Sequence, residues 1–322
     1  MSDNHVTQER KLYVKDHYKT RLMKEEDVDQ CLNIFRDHQL ATSAHGLKSF
    51  RKIDPNGCYV LTPEDDDTEI IAFVAASKFD PRCVIISFYG TKPGYQGLGL
   101  GLKIWKQLDN FVDWKTMNVG LGSSPEQIQT YKKAGLTVED PHNMLVVEKV
   151  GPPSINEIKP TDQETSRVKV VSLDQVKWQD LLTYDADIVG FDRDKILSLS
   201  LREPDTLCLV AVDSNDGKII GYGAMKPTNM TESNNGFLGP LYSDDITVAK
   251  VLTYNLVTKF PLALKNGYIT FMADSQKEGL EMNKRIGLQH MFTCPHLYTK
   301  EVITGINYDK VYSLLSPAFS FY

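Results

Sequence analysis

The sequence predicts an α/β protein made of two tandem domains, residues 1–150 and 167–322, joined by a linker over residues 151–166. Three observations support this class. Residues 84–114 read as a strand, a glycine-rich turn and a helix: Val84, Ile85, Ile86 and Phe88 form a short apolar run, and Ile104, Leu108, Phe111 and Val112 recur at helical spacing. The order of predicted elements before the linker returns after it. Gly135 with Leu136, and Gly287 with Leu288, each close a predicted helix and stand 152 residues apart, as a divergent duplication leaves them.

In chain order, residues 1–11 read as a polar tail, and residues 12–14 and 20–23 as short strands. Glu25, Glu26 and Asp27 then put negative charge at the head of a helix whose apolar positions are Val28, Cys31, Leu32 and Phe35. A second helix is expected over residues 44–50. Residues 58–61 and 70–76 read as strands around a charged hairpin loop, and residues 83–89 as the strand before the glycines. The next strand, 118–121, leads to Ser124, Pro125, Glu126 and Gln127: an N-cap hydroxyl, a proline at the first helical position and a glutamine at the third. Gly135 ends that helix four residues after Tyr131, and residues 144–149 form the last strand of the first half.

Residues 151–166 contain three prolines and no apolar periodicity, hence the linker. The second half repeats the scheme: a strand over 168–173, helices near 174–184 and 192–201, and strands over 207–212, 219–225 and 236–241. A helix over 246–260, a strand over 268–273 and a helix capped by Ser275 with Glu278 follow. Where the first half has alternating glycines, this half has Asp244 and Asp245 at its helix entry, two carboxylates that repel an anion. The position four before Gly287 is Asn283, so Tyr131 has no counterpart.

Composition narrows the functional classes. With 322 residues and 41% apolar content the chain can bury two cores. A formal charge of −6 argues against nucleic acid and anionic membrane as partners and favours cationic amines. The five cysteines, Cys31, Cys58, Cys83, Cys208 and Cys294, are scattered without a C-x-x-C pair, which suggests neither a disulfide framework nor a metal site. The polar amino terminus and the lack of a long apolar run fit a cytoplasmic protein.

The glycines carry the chemistry. Gly97, Gly99 and Gly101 stand where the helix begins; without Cβ atoms, they let a ligand reach first-turn amides that have no helical partner, and a phosphate suits both those amides and the positive helix end. A P-loop fails, because no Lys and Ser or Thr follow Gly101, and a dinucleotide fingerprint is weak, because position 102 is Leu and no βαβ unit with an acidic residue about 20 residues on follows in the expected context. What remains is Gln96-Gly97-Leu98-Gly99-Leu100-Gly101, preceded by Thr91, Lys92 and Pro93. This Q-x-x-G-x-G pattern resembles the acyl-CoA pyrophosphate loop of the GNAT acyltransferase superfamily, and Tyr131-Lys132-Lys133-Ala134-Gly135-Leu136 resembles that superfamily's downstream Y-x-x-x-G-[FL] pattern.

The resemblance implies that each domain is a mixed, mostly antiparallel twisted sheet flanked by helices. It implies acetyl-CoA as co-substrate, held by Gln96, Gly97, Leu98, Gly99, Leu100, Gly101 and Leu102, by the main chain of Tyr89, Gly90 and Thr91, and by Ser124, with no metal. It implies a small-molecule amine or amino acid as acceptor, taken by direct attack. Tyr131 is implied as the acid that protonates the leaving thiolate, since a thiol near pKa 8.5 departs while a tyrosine near 10 still holds its proton. The segment from Tyr184 to Arg193, with Gly239, Pro240 and Leu241, resembles the carboxy-terminal domain of one group of tandem acetyltransferases, so Asp185, Asp192, Arg193 and the loop residue His45 are candidate acceptor contacts; a structural Asp–Arg ion pair is the alternative.

The general base stays open. A lysine-like amine costs roughly 4–5 kcal/mol to deprotonate at pH 7. Ser87, Tyr89 and Thr91 on the strand before the glycines are poor bases, which leaves a water relay, Asp80, His45 or His142. That gap keeps a second reading alive: a sensor or scaffold that binds acyl-CoA or a metabolite without turnover.

Overall fold

The computed structural model describes residues 16–317, so the strand expected over 12–14 lies outside the described residues. Two units separate by packing: Met1–Ala41 with Leu47–Val119, and Thr42–Gly46 with Gly120–Tyr322. Packing thus divides the chain at Val119, earlier than the linker.

In the first unit, strand β1 (Tyr18–Leu22), helices α1 (Val28–Asp37) and α2 (Gly46–Ile53), strands β2 (Cys58–Pro63), β3 (Ala72–Asp80) and β4 (Cys83–Thr91), and helix α3 (Leu100–Trp105) follow in order. The four strands are antiparallel neighbours in sequence order. Of the three acidic residues ahead of α1, Asp27 closes the 3-10 turn Glu25–Asp27 that leads into the helix: its carboxylate accepts from the Lys24 amide at 2.7 Å and from Arg21 at 2.6 and 2.9 Å. Phe35 of α1 and Phe50 of α2 close on Phe88 of β4, with ring centroids 5.2 and 5.5 Å away, so both helices lie over β4.

Pro81 and Arg82 turn β3 into β4, and Asp80 fixes the turn by accepting from the Arg82 amide at 2.8 Å. The ladder runs from Asp80 opposite Cys83 to Ala72 opposite Thr91, and its register shifts between Ala75 and Ala76, which makes Ser87 the extra residue of a β-bulge. The single helix expected after the glycines is shorter than its periodicity suggests: α3 stops at Trp105, and a 3-10 turn covers Lys106–Asn110. Asp109 and Asp113 compete for continuation, bonding Trp114 Nε1 at 2.9 Å and the Lys115 amide at 3.0 Å.

The chain passes into the second unit along β5 (Val119–Gly122), followed by α4 (Ile128–Lys133), β6 (Val138–Glu139) and β7 (Met144–Val150). Then come α5 (Asp162–Arg167), β8 (Val168–Ser172), α6 (Trp178–Val189), α7 (Asp194–Ser200), β9 (Leu207–Asp213), β10 (Ile219–Pro227) and β11 (Gly236–Ser243). It ends with α8 (Ile246–Lys259), α9 (Pro261–Asn266), β12 (Gly267–Ala273), α10 (Lys277–Arg285), β13 (Gln289–Cys294), β14 (His296–Tyr298) and β15 (Val311–Ser313). The large sheet has the order β13-β7-β12-β11-β10-β9-β8, with β15 also against β11. Only β11 and β12 pair in parallel, so the sheet is mixed and mostly antiparallel.

Strand β7, expected to close the first half, instead lies between β12 and β13 of this sheet, while β14 lies between β5 and β6. Val146 and Val147 are adjacent and both buried, as an interior strand with two covered faces requires. Residues 151–166 are also not a free linker. Ile155 and Ile158 are buried in the core beside Val248, Val251 and Leu252, and the Gly151 and Ser154 amides bond Asn266 and Ile286 carbonyls at 2.9 Å each. Their spacing of three, read in sequence as aperiodic, is one 3-10 turn.

The two helix endings behave alike. Gly135 and Gly287 adopt φ of +99° and +94°, and the Leu136 and Leu288 amides reach back to the Tyr131 and Asn283 carbonyls at 3.1 and 3.0 Å, a Schellman ending in each half. The cap expected at Ser275 falls to Gln276, whose side chain accepts from the Gly279 amide at 3.3 Å. No helix among the described residues is long and apolar enough to cross a membrane.

Candidate active site

The junction after β4 assigns its glycines two different tasks. Gly97 and Gly99 have φ of +74° and +78°, a region that costs an L-residue about 1–2 kcal/mol. Gly99 is the N-cap of α3, no side chain caps it, and a Cβ on Gly97 would meet nothing within 4 Å. Gly101 is needed for closeness instead: a Cβ there would stand 2.6 Å from Tyr89 Oη and 3.3 Å from Thr91 Oγ1. Leu100 is buried and anchors the helix start beside Ile104, whereas Gln96 and Leu102 are exposed and Leu98 is half-buried. The result is a bare main-chain edge at a helix entry, able to take an anion on its amides.

The end of β4 is held from behind. Tyr89 packs edge-on against Trp105 at 5.5 Å, and burial raises its phenol pKa. A Cβ on Gly90 would lie 3.1 Å from both Ile34 and Phe73, so the strand passes close under α1. His38, at the end of α1, bonds the Thr91 carbonyl at 2.8 Å, which requires the tautomer with hydrogen on Nε2. This bond makes His38 the clamp on the strand that feeds the glycines.

Ser124 and Tyr131 belong to the second unit. Ser124 is extended ahead of Pro125 as expected, but its hydroxyl makes no cap bond; its carbonyl takes the Gln127 amide at 3.0 Å. Tyr131 lies half-buried on α4. His45 is half-buried in the short segment Thr42–Gly46, whose neighbours Thr42 and Ser43 are fixed by Asn229 Oδ1 at 2.8 Å and Glu203 Oε2 at 2.9 Å.

Two expected substrate contacts are instead locked into the core. Arg193 and Asp185 form a bidentate pair, Nε to Oδ2 and Nη2 to Oδ1 both at 2.7 Å, with each side chain 1% exposed. Arg193 also donates to Tyr242 Oη at 2.9 Å, and the Tyr222 hydroxyl donates to Asp185. Burial opposes the guanidinium charge, yet Asp185 and the tyrosines leave its pKa well above the usual value. Asp192 remains at the surface and caps its own turn, accepting from the Asp194 amide at 2.9 Å. Asp80 is likewise bound, to Arg82 at 2.9 and 3.0 Å, at the end of β4 away from the glycines.

The helix entry of the second half has the opposite character. Asp245 caps α8 by accepting from the Val248 amide at 3.0 Å and pairs with Arg167 at 2.7 Å; Asp244 pairs with Lys310 at 2.8 Å. Among the described residues, no group of three or more His, Cys, Asp or Glu is placed to hold a metal ion.

Comparison with known proteins agrees with this architecture. Holothin acyltransferase of Pseudoalteromonas sp. (strain SANK 73390) is 25% identical over 251 residues, covering 77% of this chain and 76% of that one. The uncharacterized protein F36G3.2 of Caenorhabditis elegans is 26% identical over 213 residues, covering 61% and 65% of the two chains. Among solved structures, one assigned as an acetyltransferase from Pyrococcus horikoshii superposes with a TM-score of 0.69 at 18% identity, covering 94% of this chain and 95% of that one. A tandem GNAT protein from the clavulanic acid biosynthesis pathway gives 0.59 at 9% identity, covering 87% and 98%. The family model "Acetyltransferase (GNAT) family" matches residues 20–114 and the model "Acetyltransferase (GNAT) domain" matches residues 181–313, and the chain therefore belongs to the GNAT acyltransferase superfamily as a tandem protein.

Proposed function

We propose that the protein is an N-acetyltransferase that moves an acetyl group from acetyl-CoA to the amine of a small molecule or amino acid by direct attack. The observation that carries this reading is the glycine junction: two glycines with positive φ lead into a helix without a side-chain cap, and a third leaves no room for a Cβ. These residues fit a pyrophosphate, with the first-turn amides of Leu100, Gly101 and Leu102 facing the anion. When bound, acetyl-CoA supplies the activated acyl group. The β4 end at Tyr89, Gly90 and Thr91, held by His38, presents main chain to the rest of the ligand, with Ser124 as a further contact. Tyr131 donates the proton the leaving sulfur needs.

In this reading the domains of function are residues 1–150, which bind acetyl-CoA, and residues 167–322, a degenerate partner. The Asp244 and Asp245 carboxylates at the α8 entry support the second assignment, since they put negative charge where a pyrophosphate would have to sit. Likeness over most of its length to a protein named holothin acyltransferase supports acyl transfer as the reaction class. Measuring thiol release from acetyl-CoA across a panel of primary amines tests the reading. Tyr131→Phe is expected to lower kcat about 10²-fold or more while the KM for acetyl-CoA stays within about twofold. Acetyl-CoA binding with no turnover on any amine would favour a sensor, the reading that the absence of a carboxylate on β4 keeps in play.

A further inference from the structure

The large sheet leaves part of one face uncovered at its β8 end. Lys169 of β8, Val212 of β9 and Ile219 of β10 stand opposite one another in the ladders and so project from the same face. The next row on that face is Val171, Val210 and Tyr222, and there α6 supplies a cover: Val210 and Tyr222 are fully buried, and the Tyr222 hydroxyl donates to Asp185 of α6. On the opposite face Val168 and Ala211 enter the core beside Val248 of α8. The outer row is closed by neither helix, and Val171, Val212 and Ile219 are each only half-buried.

These three side chains floor an open groove of about 360 Å³, walled by residues 175–177 and Asp180 and bordered by the β9–β10 turn at Gly217. That volume is at the lower end for ligand sites, which run from about 300 to 1,000 Å³. The charge on the wall is unequal. Lys169 and Lys177 both line the groove, and neither is in an ion pair among the described residues, whereas the neighbouring Lys218 is paired with Asp216 at 2.9 Å. Against these two cations the lining places one carboxylate, Asp180.

We propose that this groove binds a small apolar monocarboxylate, with its hydrocarbon body over Val171, Val212 and Ile219 and its carboxylate answered by Lys169 and Lys177. The chemistry of the walls selects this class. A neutral apolar ligand leaves both lysines unanswered, and an amine is repelled by them. The small volume suits a short branched chain or a single ring rather than a folded partner. The site lies within the second unit and does not depend on acyl-CoA.

Isothermal titration and thermal shift of the full chain test this with phenylacetate and 4-methylpentanoate, using phenylacetamide and 4-methylpentanamide as neutral controls. One site per chain is expected, weakened by salt. Lys169→Ala and Lys177→Ala, at exposed positions, are expected to weaken the acids about threefold singly and about tenfold together, and the amides should bind about tenfold more weakly than the acids. Val212→Asp, which sets a carboxylate on the floor, should abolish acid binding, whereas Gly101→Asp in the first unit should leave it unchanged. Acids that bind no better than the amides, that ignore both lysine substitutions, or that lose binding with Gly101→Asp overturn the site. So does a lack of binding by either acid at millimolar concentration, or a dimer in sedimentation that Lys169→Glu dissociates, which would give the groove to a second copy of the chain.

Discussion

Gly101 shows how one missing Cβ links packing to ligand access. Its neighbour is the tip of the Tyr89 ring, 2.6 Å from where the Cβ would be, so Gly101→Ala must displace either the tyrosine or the helix start. Overpacking of this kind costs about 1–3 kcal/mol. Removing the hydroxyl relieves it, and a double-mutant cycle of Gly101→Ala with Tyr89→Phe, read by urea unfolding, is expected to show a favourable coupling of about 1 kcal/mol. Strict additivity would mean that the contact does not limit the position. At this scale the sequence is informative where a residue type has one physical use and silent where it has several. The glycines can be assigned because positive φ and close approach are what glycine permits, whereas Asp185 and Arg193 read equally well as substrate contacts or as a structural pair. Only their shared burial, each 1% exposed, decides it.

At the scale of elements, the same helix entry has been built in two ways. α3 starts from bare glycine and α8 from a charged cap that bonds its own amide at 3.0 Å. The alternation of glycine with leucine in one half and the two aspartates in the other make this contrast legible in the amino-acid sequence alone. The length of α3 is not legible there, since the apolar spacing continues through Leu108 and Val112 while Asp109 and Asp113 divert the chain. Element α6 carries a further expectation. Asp185→Asn removes the counter-charge of a buried guanidinium, which costs about 3–5 kcal/mol, and the denaturation midpoint should fall accordingly with little change in slope. A variant within about 1 kcal/mol of wild type would show that Arg193 finds another partner at no cost.

Across the whole chain, the repeat of element order and the paired helix endings at Gly135 and Gly287 are readable, because a Schellman ending demands a glycine at a fixed place. The exchange of β7 and β14 is not. A strand of apolar residues declares that it is buried but not which sheet buries it, and the three residues of β14 are too few to carry a pattern. The packed segment over 151–166 escapes for a similar reason, two isoleucines among prolines being enough to anchor it. The division of labour between the halves is the claim on which the proposed function stands. Isothermal titration of acetyl-CoA into wild type, Gly101→Asp and Asp245→Ala tests it most directly. The account predicts one site per chain, abolished by Gly101→Asp and unchanged by Asp245→Ala, which should lose only about 1 kcal/mol of stability with its cap. Binding that survives Gly101→Asp, or that responds equally to both substitutions, would contradict it.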